Sequence, residues 1–333
     1  MRRLLILALA STSLFAQQKK ILVMGPPEFA SDLQAASPNV KVVSVTPATA
    51  PKEIVDADGF IGEPRPEWLR EAKQLKWVQT MSAGVERVLH KSGSTELRDK
   101  PIILTNNQIV QGPEIADHAM AMLLTLSRGI NKFLLDKQTE TWSAANYKGI
   151  ELRGRTGVVI GVGGIGTQIA LRAHAFGMNV IGVDPEDIPM MPFIERVVKP
   201  DQLDEVVPLA DVIFISAPHT PASDKMMGPK QFDMMKPNSY FIAVSRGGLY
   251  DMNALVKALD SKRLAGAGVD VTDPEPLPKG HPLWKFDNAI VTPHIAGRSD
   301  KDRARMVGTI KENIKRFADG RPLVNVVDKQ KGY

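Results

Sequence analysis

The chain has 333 residues, 43% hydrophobic and 24% charged, a length too great for one ordinary core and a composition suited to a globular protein of two domains. It has no cysteine, which excludes disulfides, thiolate-bound metal and a thiol nucleophile, and its six histidines show no ligand spacing with carboxylates, so no metal site is expected. The net charge of +5 is dispersed, with no basic run interleaved with aromatics, and nucleic acid is not an expected partner.

The opening Met1-Arg2-Arg3, the apolar LLILALASTSLFA and the polar Gln17-Gln18-Lys19-Lys20 form the three-part pattern of a signal peptide over residues 1–16. The apolar part is too short to span a bilayer. The expectation is a periplasmic or secreted protein without stable membrane insertion once the leader is removed; the alternative is a cytoplasmic protein with an N-terminal extension. Arg2-Arg3 before Leu4-Leu5-Ile6 also has a faint likeness to a twin-arginine signal, a route that carries proteins already folded around a cofactor.

Short apolar runs at 21–25, 40–45, 59–61, 77–80 and 102–105 alternate with helical or polar stretches, the mark of a parallel α/β unit. A helix is predicted over 113–128, with Pro113 in its first turn and Ile115, Ala119, Met122, Leu123 and Leu126 on one face. The segment 131–149 reads as a polar connection.

VVIGVGGIGTQIALRAHAFGMNVIGVDP, residues 158–185, is the most informative stretch. A buried strand runs into Gly161, Gly163 and Gly166, a helix follows, and a second strand ends at Asp184. Gly161 permits the tight turn, Gly163 lets backbone approach a pyrophosphate, and Gly166 lets helix pack on strand, while the helix N-terminus offers free N–H groups to the phosphates. Asp184 is placed to accept hydrogen bonds from ribose hydroxyls and to repel a 2′-phosphate. Because 185–195 holds no Lys or Arg to neutralise such a phosphate, NAD is favoured over NADP.

Further strands are predicted at Val158, Val180, 212–216, 240–244, 267–271 and 290–291, enough for a doubly wound sheet, with a helix and tail after Asp300. Ligands bind beyond the carboxyl ends of such strands, where Ser216-Ala217-Pro218-His219, Ser245-Arg246-Gly247-Gly248, Asp270 with Glu275, and His294 fall. Reducing a 2-oxo acid needs a cation that binds the carboxylate and polarises the carbonyl, an acid that protonates the alkoxide, and a carboxylate that keeps that acid protonated. Arg246, His294 and Glu275 fit these roles in order.

These segments resemble the D-isomer-specific 2-hydroxyacid dehydrogenase family. LKWVQTMSAGVERVL is similar to its substrate-carboxylate loop, GPEIADHAMAMLLTLSR to its interdomain helix, and VVIGVGGIG with VIGVDP to its NAD turn. AVSRGGLYDMNAL, GAGVDVTDPEPLP and NAIVTPHIAG resemble the segments bearing its arginine, glutamate and histidine. The resemblance implies two doubly wound parallel-sheet α/β domains: a flavodoxin-like substrate domain over 20–112 completed by 297–333, and a Rossmann NAD-binding domain over 113–296, with a cleft between them. It further implies a homodimer and a small 2-oxo or 2-hydroxy acid substrate. Arg246, Glu275 and His294 become the catalytic set, and backbone N–H groups at Ser82, Ala83 and Gly84 bind the substrate carboxylate. Gly164 and Ile165 face the pyrophosphate, Asp270 holds the nicotinamide carboxamide, and Ala217, Pro218, Ser245, His294 and Gly297 join the cofactor site.

Gly164 stands where many members carry Arg, Asp117 where Glu is common, and Ser245 where Ala is common. The loop Gly62-Glu63-Pro64-Arg65 is expected to face the far end of the substrate, where Arg65 would attract a second carboxylate. Two alternatives on the same scaffold are an NAD(H)-sensing binding protein of corepressor type and a formate- or phosphite-type dehydrogenase.

Overall fold

The computed structural model of the chain describes residues 18–93, 95–145 and 147–333, so the expected leader lies outside the described residues. Two all-parallel sheets form. The first contains β1 (Lys19–Met24), β2 (Val40–Val45), β3 (Gly59–Ile61), β4 (Trp77–Gln79) and β5 (Ile103–Thr105) in the order β2-β1-β3-β4-β5. Neighbouring strand residues point to opposite faces, and in the central strands β3 and β4 both faces are covered. Leu22, Phe60 and Val78 enter one core, whereas Ile21, Val23, Ile61 and Trp77 enter the other.

The second sheet contains β6 (Thr156–Ile160), β7 (Asn179–Val183), β8 (Arg196–Val198), β9 (Val212–Ile215), β10 (Ser239–Ala243), β11 (Leu264–Val269) and β12 (Ala289–Val291), ordered β12-β11-β10-β9-β6-β7-β8. The sheets are therefore doubly wound, and their strand orders reverse at β1/β3 and at β6/β9, the positions beyond which ligands bind. Strand β8 is absent from the sequence reading, since a three-residue edge strand is too short to show a period.

The helix Gly112–Ser127 carries the chain from one sheet to the other. Its predicted apolar stripe, Ile115, Ala119, Met122, Leu123 and Leu126, is buried in one cluster with Ile169, Ala170 and Ile242 of the second domain. The segment 131–149, read as a polar connection, instead opens with the helix Ile130–Gln138, none of whose residues is buried. The helix Asp302–Asp319 returns to the first sheet. Ile310, Ile314 and Phe317 pack in the core of Ile21 and Trp77, and the buried Asn313 donates from Nδ2 to Gln79 Oε1 at 2.9 Å. Among the described residues no helix is long and apolar enough to cross a membrane.

Candidate active site

The carboxyl ends of the two sheets face one cleft of about 950 Å³. At its nucleotide end the chain leaves β6 through Gly161, whose φ of +89° and approach to β9 both exclude a side chain: a Cβ there would lie 2.4 Å from the Ala217 backbone. Gly166 sits against the Gly161 carbonyl, where a Cβ would come within 1.8 Å, so the helix Gly164–Ala175 starts pressed onto the strand end. A Cβ on Gly163 would meet nothing within 4 Å. That opening, beside the N-terminus of a twelve-residue helix, fits the pyrophosphate of a dinucleotide.

Asp184, 8% exposed, lies beside this turn. Its Oδ2 accepts from the Val162 N–H at 2.7 Å and its Oδ1 from the Glu186 N–H at 2.9 Å. Each oxygen keeps a lone pair for a ribose hydroxyl. Although 185–195 itself holds no cation, folding brings two lysines from outside it to that segment. Lys199 Nζ lies 2.6 Å from Asp187, and Lys331 Nζ 2.6 Å from Glu186. Both ammonium groups are thus held by carboxylates of that segment.

Gly164 has a structural reason to lack a side chain. A Cβ there would lie 2.8 Å from Cα of Ile109, which itself adopts φ +73° and is 63% exposed at the cleft wall. A β-branched residue in the left-handed region is an outlier, and this one borders the phosphate-facing turn.

At the other end Arg246 follows β10 and meets the loop after β4. Its Nε donates to Glu86 Oε1 at 2.7 Å and its Nη1 to the Ser245 carbonyl at 2.7 Å. Nη2 lies so close to Gly84 that a Cβ on that glycine would come within 1.9 Å. The N–H groups of Ser82, Ala83 and Gly84 donate to no acceptor among the described residues. Three backbone N–H groups without an acceptor and one guanidinium nitrogen therefore line the same part of the cleft, a set of donors suited to a carboxylate. Burial pushes the Glu86 carboxyl up, but the charge and hydrogen bond of Arg246 outweigh it and hold it below the ordinary carboxylate value.

Gly247 lets the arginine loop abut the loop that carries Glu275, since a Cβ would lie 2.0 Å from the Thr272 carbonyl carbon. Glu275 in turn reaches His294, whose Nδ1 is 3.0 and 3.1 Å from the two carboxylate oxygens. Nδ1–H must be the donor, which leaves Nε2 for proton exchange. His294 has φ +53°, a turn held by Asp270. The Asp270 carbonyl accepts the His294 N–H at 2.8 Å, and its buried carboxylate accepts from Thr292 Oγ1 at 2.6 Å and from the Ile295 and Ala296 N–H groups at 2.9 Å each. His118 Nε2 adds a contact to Thr292 Oγ1 at 2.9 Å.

The structure thus brings Ser82, Ala83, Gly84, Gly161, Gly163, Gly164, Ile165, Asp184, Ala217, Pro218, Ser245, Arg246, Asp270, His294 and Gly297 to one cleft wall. Gly166 and Glu275 stand behind it. Asp270, expected at a carboxamide, lines the cleft, and its carboxylate also shapes the His294 loop. Loop 62–65 does not line the cleft: Arg65 stacks over Trp68 at 5.3 Å and Glu63 pairs with Arg87 at 3.0 Å. Sequence reasoning missed Glu86, whose partner Arg246 is far along the chain, and Ile109, Lys331 and Tyr333, which reach the cleft by folding. Ser245 Oγ is buried without a partner on the same wall, a signal invisible in sequence.

A family model described as D-isomer specific 2-hydroxyacid dehydrogenase, NAD binding domain, matches residues 120–296. The chain is 34% identical over 264 residues, 78% of its own length, to D-3-phosphoglycerate dehydrogenase of Methanocaldococcus jannaschii, of which the match spans 49%. It is 30% identical to the glyoxylate reductase of Korarchaeum cryptofilum over 79% of each chain. The chain spans about half the length of the phosphoglycerate dehydrogenases that it matches. Among solved structures, a D-isomer specific 2-hydroxyacid dehydrogenase from Xanthobacter autotrophicus in complex with NADPH superposes with a TM-score of 0.81 at 25% identity, covering 95% of this chain and 100% of that one.

Proposed function

Because the chain belongs to the D-isomer-specific 2-hydroxyacid dehydrogenase family, we propose that it interconverts a small 2-oxo acid and the corresponding D-2-hydroxy acid with NAD as hydride carrier. One observation carries this reading: Arg246 lies against Gly84 of the loop 82–84, whose N–H groups have no acceptor, in the same cleft as the His294–Glu275 pair. The nicotinamide ring, when bound, supplies or accepts the hydride. The 82–84 loop and Arg246 Nη2 receive the substrate carboxylate, and the guanidinium charge polarises the adjacent carbonyl. In the reducing direction His294 Nε2 gives its proton to the developing alkoxide as hydride reaches C2; in the oxidising direction it takes that proton back. Glu275 holds the ring orientation and stabilises the imidazolium.

Asp184 beside the glycine turn, with Lys199 and Lys331 held by Asp187 and Glu186, supports NAD in preference to NADP. Exposed apolar side chains around the helix Ile130–Gln138, among them Leu134, Leu135 and a fully exposed Trp142, support a homodimer formed through that arm. The leader pattern of residues 1–16 supports export, which the mass of the mature N-terminus from fractionated cells would test. The activity is tested by following NADH consumption by the purified protein with glyoxylate, hydroxypyruvate, pyruvate and phenylpyruvate. Turnover of at least one is expected; measurable NADH binding with no turnover of any would overturn the catalytic reading in favour of a cofactor-sensing binder.

A further inference from the structure

Segment 328–333 crosses from the first domain to the nucleotide end of the cleft. Its root is firm: Lys329 Nζ donates to the carbonyls of Leu97, Lys100 and Ile102 at 3.0, 2.6 and 3.0 Å. Asp328 folds the segment into a turn, its side chain accepting from the Gln330 and Lys331 N–H groups at 2.9 and 3.1 Å and its carbonyl from Gly332 at 2.8 Å. The far side of this turn belongs to the other domain. Lys331 Nζ and Tyr333 Oη converge on the same oxygen of Glu186, at 2.6 and 2.8 Å, two residues beyond Asp184. Between root and contact, Gly332 lies against His90 and Thr220, one from each domain, where a Cβ would approach to 2.7 and 3.4 Å.

The segment is a wall of the cleft. Residues 330–333 line it, and about 950 Å³ stays open with them in place, at the upper end of the range for small-molecule sites. Burial pushes the Tyr333 hydroxyl up, and the Glu186 hydrogen bond and the charges of Glu186 and Asp184 push it further.

We propose that segment 328–333 is a strap that closes the adenosine end of the cleft, with Lys331 and Tyr333 latched onto Glu186 so that the two domains are held together around the nucleotide. This rests on the cleft being the NAD site. A latch that holds the domains together lowers the ordering cost of binding, so opening it weakens cofactor affinity while leaving the distant Arg246 and His294 in place.

The test uses the full chain with Lys331→Met and Tyr333→Phe combined and, from the opposite side of the latch, Glu186→Ala. NADH dissociation constants are read by fluorescence titration, and hydrogen exchange of 328–333 is followed with and without NADH. We expect both variants to bind NADH about tenfold more weakly, equivalent to about 1.4 kcal/mol, and NADH to slow exchange of the segment in the unmodified chain only. Unchanged affinity overturns the strap, and tighter binding overturns it by showing that the segment obstructs the site. An unmodified chain that binds no NADH overturns the cofactor reading and the strap together, whereas tight binding that ignores the variants overturns the strap alone.

Discussion

Glu86 decides how Arg246 meets an anion. By engaging Nε it turns Nη2 toward Gly84 and the free backbone donors, and its own charge is stabilised by the same contact. Its carboxyl is held below the ordinary value of about 4.3, so its contribution to stability is full above that value and is lost as pH falls through the depressed one. Replacing Glu86→Gln should lower stability by about 2 kcal/mol at neutral pH, because a part-buried guanidinium loses its charged partner. In urea unfolding, the gap between the two proteins should be constant from pH about 8 to 5 and shrink below pH about 4. A gap that widened on acidification would show that the ion pair is not the source. Arg246, Glu275 and His294 were legible in sequence because each follows a strand and precedes a loop of unusual composition. Glu86 was not, since its partner lies 160 residues away and nothing local marks the pairing.

At the scale of elements, apolar pattern revealed what the core buries and little else. The stripe of the helix Gly112–Ser127 and the runs of β3 and β9 are buried as their spacing required. The helix Ile130–Gln138 escaped because none of its residues is buried, so no apolar stripe marks it. Ile130, Leu134, Leu135 and Trp142 stay exposed in one short stretch, the surface of the proposed homodimer. Leu134→Asp with Leu135→Asp should therefore convert a dimer to a monomer in sedimentation equilibrium without changing the far-ultraviolet circular dichroism. A dimer that survived both charges would place the interface elsewhere. The same limit explains the cofactor-site lysines: the segment 185–195 has no cation in sequence, yet Lys199 and Lys331 arrive there through tertiary structure.

The whole molecule is two doubly wound sheets whose carboxyl ends face each other, joined by the helix Gly112–Ser127 and tied again by segment 328–333. In the proposed mechanism each half supplies part of the chemistry: the first sheet gives the loop after β4, and the second gives the glycine turn, Arg246, Glu275 and His294. Both sheets could be read from strand spacing and the order of motifs, but their mutual placement depends on contacts such as Arg246 with Glu86 that only the folded chain contains. The central claim is that this cleft transfers hydride with His294 as its acid and base. The most direct test compares turnover of the best 2-oxo acid by the unmodified chain and by His294→Ala, with NADH affinity measured on both. We expect turnover to fall by roughly 10² to 10⁴ while NADH affinity is retained. Turnover by His294→Ala equal to that of the unmodified chain would contradict it.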